Sequence, residues 1–283
     1  METQGNSNSN DNDGDAVGEE YFSERQLKKG AAGWILLAGL GVAYVISGDY
    51  AGWNFGLAEG GWGGLVIATL LMAVMYTTMI FSLAELSATI PSAGGGYGFA
   101  RRAFGPLGGF LTGTAILLEY AVAPAAIATF IGAYLDSLLG ISGWPVSLAF
   151  YLIFIGIHIY GVGEALKLMF GVTVLAVIAL AVFIVAMAPH FDVANLFDIP
   201  VVGGLGASKF LPFGVIGICA AIPYGMWFFL AVEGLPLAAE ETADPAKNMP
   251  KGMIAAILVL LLLATLVLIV GTIQNGGASA SPS

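Results

Sequence analysis

The sequence predicts an all-α polytopic membrane protein: seven transmembrane helices, forming one five-helix repeat and the start of a second, inverted copy. Three observations predict it. Of 283 residues, 58% are hydrophobic and only 10% charged, with a mean hydropathy of +0.89, a balance foreign to soluble domains. Stretches of the ~20 apolar residues that cross ~30 Å of hydrocarbon recur along the chain. Two of these stretches, five helices apart, are interrupted by Gly, Pro and acidic residues. A transmembrane β-barrel is excluded, because runs such as 254–270 are apolar all round instead of alternating.

Residues 1–29 form the first element, expected as a disordered acidic cytoplasmic tail. Glu2, Asp11, Asp13, Asp15, Glu19, Glu20 and Glu24 concentrate seven of the nineteen acids there, and too little apolar surface accompanies them to offset the entropy of ordering. The transmembrane domain is expected over 30–275, with spans at 34–58, 63–90, 107–135, 145–163, 166–188, 212–239 and 252–273. The first repeat occupies about 30–190 and the second begins at about 210–275. A polar external end covers 276–283. Span 107–135 is long and holds Glu119 and Pro124, which calls for tilt or a kink.

Basic residues orient these spans. Arg25, Lys28, Lys29, Arg101, Arg102, Lys167, Lys247 and Lys251 all fall on one side of the threading and only Lys209 on the other, so the positive-inside rule predicts a multi-pass cell-membrane protein with a cytoplasmic N-terminus. Cys219, the sole cysteine, excludes an intrachain disulfide and is expected to pack. No cofactor or metal is expected: neither His158 nor His190 has a partner at ligand spacing. Glycines at spacing four, Gly48, Gly52 and Gly56 or Gly105, Gly109 and Gly113, suit close helix packing.

The two interruptions carry the functional expectation. In the first span Ser47, Gly48, Asp49 and Tyr50 stand near mid-membrane, where an acid costs ~2.5–3.5 kcal/mol and must face a cavity, a partner or a ligand. In the sixth, Pro223 and Gly225 precede Trp227, Phe228, Phe229 and Leu230, and Glu233, Gly234 and Pro236 follow. An odd number of spans per repeat inverts the second copy, so two such helices meet at the midplane, as in inverted-repeat transporters. Freed amides and carbonyls there attract anions and cations respectively.

Three stretches carry a resemblance to the amino acid, polyamine and organocation transporter superfamily: 47–61, the loop Ile90-Pro91-Ser92-Ala93-Gly94-Gly95-Gly96-Tyr97 through Pro106, and Phe228–Glu233 with Ala239-Glu240-Glu241, Asp244-Pro245 and Pro250. Within it, Gly48-Asp49-Tyr50-Ala51-Gly52-Trp53-Asn54-Phe55-Gly56-Leu57 is similar to ethanolamine permeases. The resemblance implies a secondary active transporter, not an enzyme, that moves a small amine such as ethanolamine, or amino acids, by alternating access coupled to a proton or sodium ion. The lipid bilayer is its other partner and nucleic acid is not one. Its substrate site is expected at Ser47, Gly48, Asp49, Tyr50, Trp227, Phe228 and Leu230.

Relatives usually read Gly-Ser-Gly and an apolar residue at the first break. Here Ile46 and Asp49 take the outer places, and the added acid favours a cationic amine without a carboxylate. Glu233 matches an acid that couples protons in some members, and its other reading is a hydrogen-bond acceptor for unwound backbone. Ala176 stands where some relatives carry a coupling lysine. Glu119 and Glu85 are expected to serve ordinary hydrogen bonding. Trp227, Phe228 and Tyr50 suit either a cation–π gate or packing.

The resemblance also implies two repeats of five helices, so C-terminal helices are missing and the chain alone is expected not to transport. A truncated, non-transporting fragment is therefore one alternative. A seven-helix receptor is another, opposed by the basic-residue pattern. A channel, the last, is opposed by the paired breaks.

Overall fold

The computed structural model describes residues 32–90, 94–141, 143–160 and 162–271. The expected tail 1–29, the end 276–283 and Pro91-Ser92-Ala93 of the loop motif lie outside them. Among the described residues the architecture is helical, with no named strand, and one isolated bridge joins Ala32 to Thr242.

The helices are α1 (Trp34–Val45), α2 (Ser47–Tyr50), α3 (Phe55–Thr89), α4 (Gly95–Leu139), α5 (Trp144–Tyr160), α6 (Val162–Met187), α7 (Gly214–Met226) and α8 (Pro245–Val270), with a 3₁₀ segment at Val232–Glu241 between the last two. Four segments are long and apolar enough to cross a bilayer alone: Phe55–Thr89, Gly95–Leu139, Leu168–His190 and Pro245–Val270. Three shorter apolar helices, Trp34–Val45, Trp144–Ile157 and Gly214–Met226, also stand among the described residues.

Two of the expected spans begin at breaks inside longer helical runs. In Phe55–Thr89 the backbone is non-helical at Gly61, φ 65°, just before the expected start at 63, and residues 55–60 form a short helix ahead of the break. In Gly95–Leu139 it is non-helical at Gly105, φ 74°, just before the expected start at 107. Glycine reaches such left-handed angles without a Cβ clash, so the chain turns sharply while the helical hydrogen bonds resume at once. Beyond Gly105 the chain doubles back, and a Cβ on Gly109 would stand 2.7 Å from that of Arg101. Pro124, in the span expected to tilt or kink, sits inside the helix after Gly105. Cys219 is exposed, not packed.

Packing follows the small residues. Without water to drive association, membrane helices gain by close backbone approach. A Cβ on Gly60 of α3 would lie 2.6 Å from the Gly217 carbonyl oxygen of α7, and one on Gly225 would lie 2.9 Å from the Thr69 nitrogen. Substituting Gly41 would crowd Ala256 at 2.7 Å, which brings α1 against α8. Met249, Met253, Ala256, Ile257 and Leu260, all fully buried, form the helical face of α8 at the core.

Each end of the bundle is tied. At one, Ala32 N–H donates to Glu241 O at 3.1 Å, Ala243 N–H to Ala32 O at 3.0 Å, and Gly95 lies against Leu237. At the other, Trp62 Nε1–H donates to Leu268 O at 3.1 Å, and its ring meets Phe197 and Phe210 edge-on at 5.7 and 5.9 Å.

Candidate functional site

The first interruption is a turn at Ile46. Ile46 N–H ends α1 on Val42 O at 2.8 Å, and Asp49 N–H then closes a tighter i−3 bond on Ile46 O at 3.1 Å. After Ala51 N–H bonds Ser47 O at 3.1 Å, Gly52 at φ 102° turns the chain toward α3.

The second interruption is more open. Pro223 removes a donor from α7, and at its end both Phe229 and Leu230 N–H groups converge on Met226 O at 2.9 and 3.0 Å. Ala231 then takes a left-handed conformation, φ 78° and ψ −2°, unusual for a residue with a Cβ. Its N–H is met by Glu233 Oε1 at 3.3 Å.

These interruptions touch. A Cβ on Gly48 would collide with the Trp227 carbonyl oxygen, and one on Gly52 would fall 2.6 Å from the Trp227 ring. Beside the contact lies a cavity of about 220 Å³. Its wall combines Tyr44, Val45, Ser47 and Gly48 from the first broken helix with Trp227, Leu230 and Ala231 from the second. The third wall is Glu119, Val122, Ala123, Ala126 and Ile127 of α4.

Four of the expected site residues, Ser47, Gly48, Trp227 and Leu230, therefore line one cavity. Asp49, Tyr50 and Phe228 do not line it. Asp49 is 3% exposed and neither carboxyl oxygen has a hydrogen-bond partner. Phe228 is fully buried and stacks on Trp53 at 5.8 Å. Tyr50 instead borders a second cavity of about 270 Å³ with Asn54, Phe130 and Tyr134. Its hydroxyl donates to Ala176 O at 2.5 Å, and Tyr134 O–H donates to Tyr50 O at 2.6 Å, so the first break is tied to α6 and α4. Phe130 meets Trp227 edge-on at 5.5 Å.

Glu119, expected from sequence to serve ordinary hydrogen bonding, is the acid in the cavity wall. A signal was available: positions 119, 122, 123, 126 and 127 follow i, i+3, i+4, i+7, i+8, the stripe of one helix face. Glu233 does not line the cavity; its Oε1 accepts from the Ala231 N–H at 3.3 Å. Glu119 Oε1 and Glu233 Oε2 are each buried without a donor. Among the described residues no group of three His, Cys, Asp or Glu side chains could hold a metal ion.

A helical bundle of this polarity, with two broken helices meeting at a cavity, is the architecture of a membrane carrier. Residues 34–280 match the model of the amino acid permease family, and the chain belongs to that family. It is 31% identical to an uncharacterized transporter of Rhizobium meliloti, over 80% of this chain and 49% of the relative. It is 28% identical to the methylthioribose transporter of Bacillus subtilis, over 76% and 47%. The identity is 27% with that organism's branched-chain amino acid permease BcaP, over 69% and 44%. The chain thus spans about half the length of these curated relatives. The family and these relatives are membrane transporters, not enzymes.

Proposed function

We propose that the chain belongs to a secondary active transporter for a small amine such as ethanolamine, or for amino acids, working by alternating access with proton or cation coupling. One observation carries the reading: the two broken helices meet at Gly48 and Trp227, and a cavity of about 220 Å³ opens beside their contact. Drug-sized ligands fill pockets of ~300–1,000 Å³, so this one suits a smaller solute.

Glu119 in the wall supports an ammonium group as the recognised feature, because a carboxylate shielded from water binds a cation and repels another acid. Asp49, the residue after Gly48, adds a second buried acid and disfavours a substrate carboxylate at the first break. Trp227 offers an aromatic face, and a cation–π contact contributes ~0.5–2 kcal/mol. Glu233 is the proposed coupling residue.

The orientation is also proposed, with the N-terminus cytoplasmic and the chain in the cell membrane. Ala32, Gly95 and Thr242 gather at one end, which supports a shared side for the basic residues that follow or precede them.

Uptake into proteoliposomes by the full-length transporter that contains this chain tests the reading. Ethanolamine is expected to enter and to outcompete alanine, and Asp49→Asn is expected to narrow that preference. Equal transport of alanine and ethanolamine by the unsubstituted protein would contradict the role given to the buried acids. The Glu233→Gln protein is expected to bind amine yet lose proton-driven accumulation.

A further inference from the structure

The face of α4 that carries Glu119 and Ile127 continues at helical spacing through Phe130, Tyr134 and Ser137, and these three line the second cavity, of about 270 Å³. The first broken helix follows the same order. Ser47 and Gly48 border the cavity at the breaks, and Tyr50, Ala51 and Asn54 border the second. About ten residues of α4 separate the two stretches centre to centre, which at ~1.5 Å each places the cavities roughly 15 Å apart along one path. Trp227 lines the first and Phe130 the second, and their edge-on contact at 5.5 Å is the shared partition.

The second wall is aromatic and uncharged. Tyr50, Phe55, Phe130 and Tyr134 supply four rings, and among the described residues no acidic or basic side chain lines it. Both tyrosine hydroxyls have their protons committed: Tyr50 O–H donates to Ala176 O at 2.5 Å and Tyr134 O–H to Tyr50 O at 2.6 Å. Each oxygen can then only accept from a ligand. Ring faces and hydroxyl oxygens suit a cation with N–H donors, and the wall holds no fixed positive charge for an anion.

The chain around this opening adds a negative field. Contacts of Trp62 with Phe197 and Phe210 gather the start of α3 and the connection after α6 at the same end. The described segments there, with the end of α4, carry Glu59, Asp136, Asp192 and Asp198 against Lys209. An excess of acids concentrates cations at a cleft before any contact forms.

We infer that the second cavity is a reception site for an ammonium-bearing solute, distinct from the cavity at the breaks and reached before it from the end that holds Trp62. This rests on the amine-carrier reading above and extends it to the path. The two sites differ in chemistry. At the breaks the ammonium pairs with the Glu119 carboxylate, whereas the second cavity holds it against ring faces and hydroxyl oxygens, and so more weakly. A weak first stop releases the solute inward once the Phe130 and Trp227 rings part.

Equilibrium binding of radiolabelled ethanolamine to the full-length transporter that contains this chain, in nanodiscs, counts the sites. Wild type is expected to show two classes, one at least about tenfold weaker than the other. Phe55→Leu and Tyr134→Leu remove rings that line the second cavity and not the first. Each is expected to abolish the weak class and to hold the tight one within about threefold, which also shows that the variant is folded. Tyr134→Phe, which keeps the ring, is expected to retain both classes. Glu119→Gln is expected to remove the tight class and leave the weak one. A single class in wild type, or a weak class that both leucine variants keep, overturns the second site and leaves the amine-carrier reading standing. Loss of both classes in both leucine variants also overturns it, because those rings then serve the cavity at the breaks. Wild type that binds no ethanolamine overturns the amine-carrier reading and the second site with it.

Discussion

Gly48 touches the second broken helix through its bare Cα, and a single added methyl group decides whether that contact exists. Gly48→Ala drives a Cβ into the Trp227 carbonyl, a rigid backbone atom that cannot rotate away. Overpacking of this kind costs ~1–3 kcal/mol, so the variant is expected to unfold at lower temperature in detergent and to lose ethanolamine binding. Unchanged binding would separate the break from the site.

Ala231 stores strain of the opposite sort. It holds φ 78° with a Cβ present, which costs ~1–2 kcal/mol, so Ala231→Gly is expected to raise thermal stability. A fall in the unfolding temperature would show that the methyl group earns its place by packing. Glycine and the buried acid at positions 48 and 49 were legible as special in the sequence, because a charge in an apolar span needs a reason. The placement of Asp49 outside the cavity wall was not. One residue of helix, a rotation of about 100°, decides which way a side chain points, and the turn at Ile46 has no composition signal of its own.

At the scale of elements, the breaks at 46–54 and 227–231 were readable from Gly, Pro and acids within apolar runs. The span starts at 63 and 107 were legible too, since Gly61 and Gly105 break the helical backbone just before them and Arg101 and Arg102 precede the second break.

The two glycines make a paired test. Gly105→Ala meets nothing within 4 Å and is strained only by φ 74°, whereas Gly61→Ala is strained at φ 65° and also meets Pro212 at 2.5 Å. Gly61→Ala is therefore expected to lower the unfolding temperature more than Gly105→Ala. An equal effect would mean that the α3 turn relaxes around its new side chain. Glu119 escaped the sequence reading: it sits on no break, and its importance arises from α4 running alongside two other helices, a tertiary fact.

Across the whole molecule, threading and site geometry are separate claims with separate checks. Cysteine labelling from either face of the membrane is expected to reach residues 203–206 from outside and 245–248 from the cytoplasm; the reverse pattern would invert the proposed orientation. The site depends only on the two broken helices and α4 converging. Equilibrium binding of radiolabelled ethanolamine to the purified protein in nanodiscs, comparing wild type with Gly48→Ala and Glu119→Gln, tests that convergence most directly. The account predicts saturable binding to wild type and a loss of about tenfold or more in either variant. Saturable binding that both substitutions leave intact would contradict it.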